Sequence, residues 1–264
     1  MLPADGGNPS DFFPSTGKPA AAPVVLSTMI SRFLACILLI ASAHGAEKRI
    51  AVFVGLCDNA TQGIVKVGAK IGDGDKPDDN LYWGCSDGLK SYFKASRRWK
   101  LEKREAPTGD ERILERLTFR HVSGDAVLVA EAWRGSKLKD CYLASEQAML
   151  SGKHDLVAFI GHNVLMDTAI EAPGRKAAGK TDAIVLGCLS DRYFRARLEN
   201  AGVRPVLLTT QLMYPGAFIL HDALEPWLAG KDRKALRTAA GAAYARNQKI
   251  KVAAATGVFS MIEP

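Results

Sequence analysis

Three short apolar runs constrain this chain more than any other feature: Arg49-Ile-Ala-Val-Phe-Val-Gly55, Asp155-Leu-Val-Ala-Phe-Ile160 and Asp182-Ala-Ile-Val-Leu186. Each is too short for an ordinary helix and rich in β-branched residues, and none alternates apolar with polar. A strand loses its alternation when both of its faces are buried, which happens in a parallel sheet covered by helices on both sides. Segments of a different period lie between and after these runs. Leu89 to Ser96 and Lys137 to Ser151 space their apolar residues as helices do, and Leu189 to Asn200 closes on Ala201-Gly202, where Gly fits a helix C-terminus. Trp99 to Arg104, Ala126 to Ala132 and Arg204 to Thr210 read as further strands, and Ala217 to Leu228 and Lys231 to Asn247 as the last helices. This rhythm predicts an α/β fold of three layers, with a mostly parallel sheet between helices. No internal repeat or linker interrupts residues 46–264, which are expected to form one domain.

The first 45 residues have another character. Residues 1–28 are rich in Pro and Gly and offer no apolar core. Met29-Ile-Ser-Arg32, the apolar Phe33-Leu-Ala-Cys-Ile-Leu-Leu-Ile40 and the small Ala41-Ser42-Ala43 match the three-part pattern of a secretory signal peptide, with cleavage expected near His44 to Ala46. The apolar run from Phe33 to Ala43 has 11 residues, and a bilayer-spanning helix needs roughly 20. Residues 1–45 are therefore expected to be an extension followed by an export leader over about 29–45. The mature chain is expected in the periplasm or outside the cell, with no membrane span.

Charge narrows the partners. The chain has 264 residues and a formal charge of +7. Lys18 and Arg32 balance Asp5 and Asp11 in the leader, so the excess belongs to the mature part. It is spread thinly, and clusters such as Arg97-Arg98-Trp99-Lys100 lack any base-reading motif, so a solvated basic face is expected and nucleic acid is not.

Two of the buried runs end alike, in Ile160-Gly161-His162 and Leu186-Gly187-Cys188. The 25 residues between His162 and Cys188 suffice for a crossover connection, so parallel strands would bring both to one edge of the sheet. Open α/β sheets build their sites at the carboxyl ends of their strands. Cysteine attacks as thiolate, and a nearby imidazole can take its proton and later pass one to a leaving group. The alternative is a structural thiol beside a strand-end His that bonds a carbonyl.

An apolar strand ending in Gly-His, followed by an apolar strand, a small residue and Cys, resembles the caspase-like cysteine hydrolases of peptidase clan CD. That group includes gingipains, clostripain, legumain, metacaspases and CHAT domains. The likeness extends through Val206 to Thr210, Pro215-Gly216-Ala217 and the helices after it, and covers about residues 126–250. It implies a peptidase with His162 and Cys188 as the catalytic pair and the backbone N–H groups of Asn163 and Cys188 holding the oxyanion. Asn163 departs from the Gly usual after the catalytic His; Asn tolerates left-handed dihedrals better than other side chains, so its N–H could still be aimed. The other reading on the same scaffold is an inactive module that binds a peptide or a partner protein.

In that family the loop after the first strand helps wall the pocket for the residue before the cut. Here it opens Gly55-Leu-Cys-Asp-Asn59, so Asp58 is a candidate for binding a basic side chain, against the view that it caps its own turn. The acidic segment Gly72 to Asn80 suits a hard cation such as Ca²⁺ at residues 73–80, or forms a solvated turn without EF-hand spacing. No other cofactor or metal is expected. Asn80-Leu-Tyr-Trp-Gly-Cys85 reads as a packed corner. An oxidising compartment would permit a bridge between Cys57 and Cys85, and Cys141 falls on the apolar face of its helix. His121, His154 and His221 lack the clustered spacing of a metal site.

Overall fold

The computed structural model describes residues 46–262. The predicted leader and the extension before it lie outside the described residues. Among the described residues seven strands form one sheet: β1 Lys48–Gly55, β2 Trp99–Glu105, β3 Ile113–His121, β4 Ala126–Trp133, β5 Leu156–Ile160, β6 Asp182–Leu186 and β7 Arg204–Leu207, in spatial order β2-β3-β4-β1-β5-β6-β7. β4, β1, β5, β6 and β7 run parallel, and β2 and β3 join the β4 side antiparallel. Six α-helices accompany them among the described residues: α1 Leu89–Ala95, α2 Leu138–Leu150, α3 Ser190–Asn200, α4 Ala217–Leu228, α5 Arg233–Gln248 and α6 Val252–Gly257. No helix among the described residues is long and apolar enough to cross a membrane.

The apolar runs are buried on both faces. In β1, Ile50, Val52 and Val54 enter one core and Ala51 and Phe53 the other; β5 and β6 divide their side chains in the same period of two. The first core packs under α1, α4 and α5 through Phe93, Ile219, Leu220 and Tyr244. The second packs under α2 and α3 through Tyr142, Met149, Phe194 and Leu198. Helices on both faces of one mostly parallel sheet make a three-layer α/β fold. Each fully buried Leu, Ile or Phe contributes about 1.5–3 kcal/mol by leaving water, so β1, at the centre of both cores, is the strand the fold can least lose.

Three boundaries differ from the sequence expectation. β3 is absent from it: its inward positions are Ile113, Glu115, Leu117 and Phe119, and a glutamate in the core register breaks the apolar alternation. β7 ends at Leu207 because Leu208 to Thr210 turn to the carboxyl-terminal segment, where Ser260 N–H donates to Leu208 O at 3.0 Å and Thr209 bridges Phe259. α5 begins at Arg233 because Asp232 is its cap, accepting Ala235 N–H at 2.8 Å.

Candidate active site

The register of β5 and β6 places the two candidate residues. Ile160 pairs with Leu186, so His162 and Cys188 each lie two residues beyond a paired position on neighbouring strands. Strands of one sheet are about 4.8 Å apart. The turns leaving them are tight. A Cβ on Gly161, whose φ is +153°, would stand 2.9 Å from Gly55 O, and one on Gly187 would stand 2.9 Å from Gly161 O. The ends of β1, β5 and β6 thus touch through backbone alone, and glycine there lets the next residue leave the sheet.

Cys188 is held in place by the start of α3. Leu189 adopts a left-handed conformation (φ 54°, ψ 31°), which costs a non-glycine residue about 1–2 kcal/mol. A reciprocal hydroxyl lock opposes that cost. Ser190 N–H donates to Thr209 Oγ1 at 3.1 Å and Thr209 N–H to Ser190 Oγ at 2.8 Å; the Ser190 hydroxyl donates to Val185 O and that of Thr209 to Gly187 O. Non-glycine residues in such conformations persist where the surroundings over-determine them, and they cluster at functional sites. Cys188 is partly exposed, and its Sγ lies against the loop after β7, accepting Met213 N–H at 3.5 Å with Met213 O at 3.6 Å.

His162 is nearly buried and has a partner on its own loop: Nε2 lies 2.5 Å from Asp167 Oδ2. Asp167 also accepts Gly63 N–H at 3.3 Å, tying the loop after β1 to the imidazole. Sequence reasoning has no ground for preferring Asp167 to Asp155, because only the short 3₁₀ turn Val164–Met166 bends the chain back onto the ring. Asp155 lies at the opposite end of β5, accepting Arg49 N–H at 2.8 Å. Tyr82 is a further neighbour of the site that the sequence does not announce. Burial pushes its phenol up, and Cys57, Cys188 and Tyr214 add to the effect.

Asn163 is extended rather than left-handed, with φ −76° and ψ 93°, because its side chain fixes it. Its Oδ1 accepts Leu165 N–H at 3.1 Å and its Nδ2 donates to Cys188 O at 2.7 Å. It therefore clamps the His loop to the Cys loop, a link that Gly could not make.

Asp58 is 8% exposed and both its oxygens are engaged, Oδ1 by Ala60 N–H at 2.9 Å and Oδ2 by the Thr61 hydroxyl at 2.6 Å. These contacts are those of a turn cap. The acidic loop meets separate cations. Asp73 pairs with Lys76, Asp75 with Arg134, Asp78 with Lys90 and Asp79 with Lys70. Among the described residues no three His, Cys, Asp or Glu side chains gather to hold a metal. Asn80 is fully buried, its side chain accepting Cys57 N–H at 3.1 Å and donating to Cys57 O at 2.8 Å. The stretch from Asn80 to Cys85 is a packed corner around it.

Cys57 and Cys85 are free thiols, so the bridge that an oxidising compartment would permit is not formed. Cys85 Sγ is directed to Asp79 O at 3.2 Å, and Cys57 is sealed in the core beside Asn80. Burial pushes the Cys57 thiol up to about 11 and Cys141, fully enclosed, well above the ordinary thiol range. These two are protonated and inaccessible at neutral pH, so iodoacetamide with peptide mapping is expected to modify Cys188 first and Cys57 and Cys141 only after unfolding. Earlier modification of either buried thiol would contradict this order.

No family model, no curated protein and no solved structure matches this chain.

Proposed function

We propose that the chain is a caspase-like cysteine hydrolase, most simply a peptidase, with Cys188 as nucleophile and His162 as general base and acid. The observation that supports this most is the matched offset of Gly-His and Gly-Cys beyond a paired position on adjacent parallel strands. Asp167 accepts Nε2–H, so Nδ1 is the nitrogen left to take the thiol proton. The thiolate then adds to the peptide carbonyl carbon, and the oxyanion meets the backbone N–H groups proposed for it at Cys188 and Asn163. The C–N bond breaks as His162 returns its proton to the amine. Water, deprotonated by His162, then cleaves the thioester and frees the acid and the thiol. With the leader read at residues 29–45, this would be an exported enzyme.

Asp167 is a positioning residue in this scheme. Asp167→Ala is expected to lower kcat about 10²-fold with little change in KM, because it frees the imidazole to turn and exchange tautomers. An unchanged kcat would remove it from the mechanism.

One observation favours a second reading. No hydrogen bond joins His162 to Cys188, and the thiol is met by the Met213 backbone instead. A binding module for a peptide or partner protein on the same scaffold would look like this, although catalytic hydrogen bonds in enzymes without substrate are often long. Fluorogenic peptides varied at the residue before the cut, combined with labelling of Cys188 at neutral pH, separate the two. Turnover blocked in proportion to Cys188 alkylation supports the hydrolase. Peptide binding without turnover supports the module.

A further inference from the structure

The amino-terminal ends of β6 and β7 floor a cavity of about 590 Å³, within the ordinary range for small-molecule sites of about 300–1,000 Å³. It lies a strand length, about 16 Å, from the edge that carries Cys188, and nothing in the proposed hydrolase chemistry uses it. Five cations and two carboxylates line it.

One carboxylate is paired within the fold and the other caps a helix. Asp182, buried at the start of β6, receives Arg204 Nε at 2.6 Å, Arg204 Nη2 at 2.7 Å and the indole N–H of Trp227 at 2.7 Å. The floor is thereby neutral, and the Trp227 ring is fixed as a wall. Asp232 caps α5. Lys231, Lys234 and Arg237 remain on the cavity and enter no ion pair among the described residues, Arg237 being held by Nε–H donation to Phe259 O at 2.8 Å. Lys234 and Arg237 are three apart on one helix, a spacing at which like charges repel. The amino-terminal end of α5, 16 residues long, adds its own positive dipole. Trp227, Val206 and Leu236 give the cavity its apolar lining.

A single carboxylate would answer one of these charges, and a bare inorganic anion would leave the indole wall facing water. We propose that the cavity binds a small phosphorylated compound with a flat heterocyclic body, of the nucleoside polyphosphate class. Its phosphates lie among Lys231, Lys234 and Arg237, and its ring lies against Trp227. Arg and Lys are the usual phosphate partners, and an aromatic face suits a planar ring.

Calorimetry on the whole protein with ATP as probe tests this, beside inorganic tripolyphosphate, adenosine and a Glu-rich decapeptide. ATP is expected to saturate one site with Kd on the order of 10–100 μM, at least about tenfold tighter than tripolyphosphate or adenosine. Lys231→Glu with Lys234→Glu is expected to weaken ATP by about 100-fold or more with an unchanged melting temperature, since both side chains are exposed. Trp227→Leu is expected to weaken ATP and leave tripolyphosphate unaffected. Cys188→Ala is expected to bind ATP as the parent does, so failure of the hydrolase proposal leaves this test intact. No saturation by about 5 mM ATP, equal affinity for tripolyphosphate, tighter binding of the acidic peptide, or full affinity in the folded double Glu variant would each overturn the proposal.

Discussion

Replacing Cys188 by Ala is expected to abolish peptide hydrolysis, lowering kcat/KM by about 10⁴-fold or more. The melting temperature should stay within about 4 °C of the parent, because a partly exposed thiol whose hydrogen bonds are to one backbone segment contributes little to packing. His162→Ala should do nearly as much damage, and the double variant little more than either alone, since residues acting as one unit are not additive. Cys57→Ala, Cys85→Ala and Cys141→Ala should keep turnover in whatever fraction remains folded. Activity assays on purified variants of verified fold decide the matter. Full turnover by Cys188→Ala would end the catalytic proposal, and additive losses in the double variant would separate the two residues.

The second large effect concerns stability. Glu115 is 1% exposed, on the inward face of β3. Its carboxylate receives Trp83 Nε1 at 2.5 Å, Lys90 Nζ at 2.9 Å and Arg104 Nε at 2.5 Å. Burial alone would push its carboxyl up, but these three donors outweigh burial and hold it below the usual glutamate range. Glu115→Ala strands the fully buried Trp83 indole N–H and leaves the mostly buried Lys90 ammonium only its exposed partner Asp78, and removing one partner of a buried pair costs about 3–5 kcal/mol. For a domain of this size that lowers the melting temperature by about 10 °C. Glu115→Gln keeps an acceptor for Trp83 and should lose less.

The sign with pH comes from the depressed value. The unfolded chain takes up the Glu115 proton first as pH falls, so the stabilisation is complete above the ordinary glutamate pKa and fades as pH drops through the folded one. The gap in unfolding free energy between the parent and Glu115→Gln should therefore be constant from neutral pH to about 5 and narrow below that. Chemical denaturation at a series of pH values measures it. A gap unchanged down to about pH 3 would show that the charge of Glu115 contributes nothing.

Glu115 also shows where sequence reasoning stops. β1, β5 and β6 are legible because a strand buried on both faces must be apolar throughout, a condition written in the residues themselves. β3 is not, because the charge in its core register is acceptable only when Trp83, Lys90 and Arg104 arrive from elsewhere in the chain. The candidate site divides in the same way. Gly161-His162 and Gly187-Cys188 can be read as strand ends facing one edge, and the sheet register bears out that placement. Asp167 cannot be chosen from sequence, Asp58 can be read two ways, and Cys57 and Cys85 can be paired on paper.

The part of this protein that its residues specify unaided is local and periodic. It comprises most of the strands and helices, a mostly parallel sheet between helical layers, and a His and a Cys at the ends of neighbouring buried runs. Packing in three dimensions decided everything that depends on meetings between distant segments. Asn163 became a clamp on Cys188 O, Asp167 the partner of His162, and Asp58 a turn cap. Lys231, Lys234 and Arg237, around the start of α5, came to line one cavity with residues of β6 and β7. The reason is physical: periodic burial is a property of each short segment, whereas the partner of a buried polar group is fixed by which segments the packed core brings within hydrogen-bonding distance.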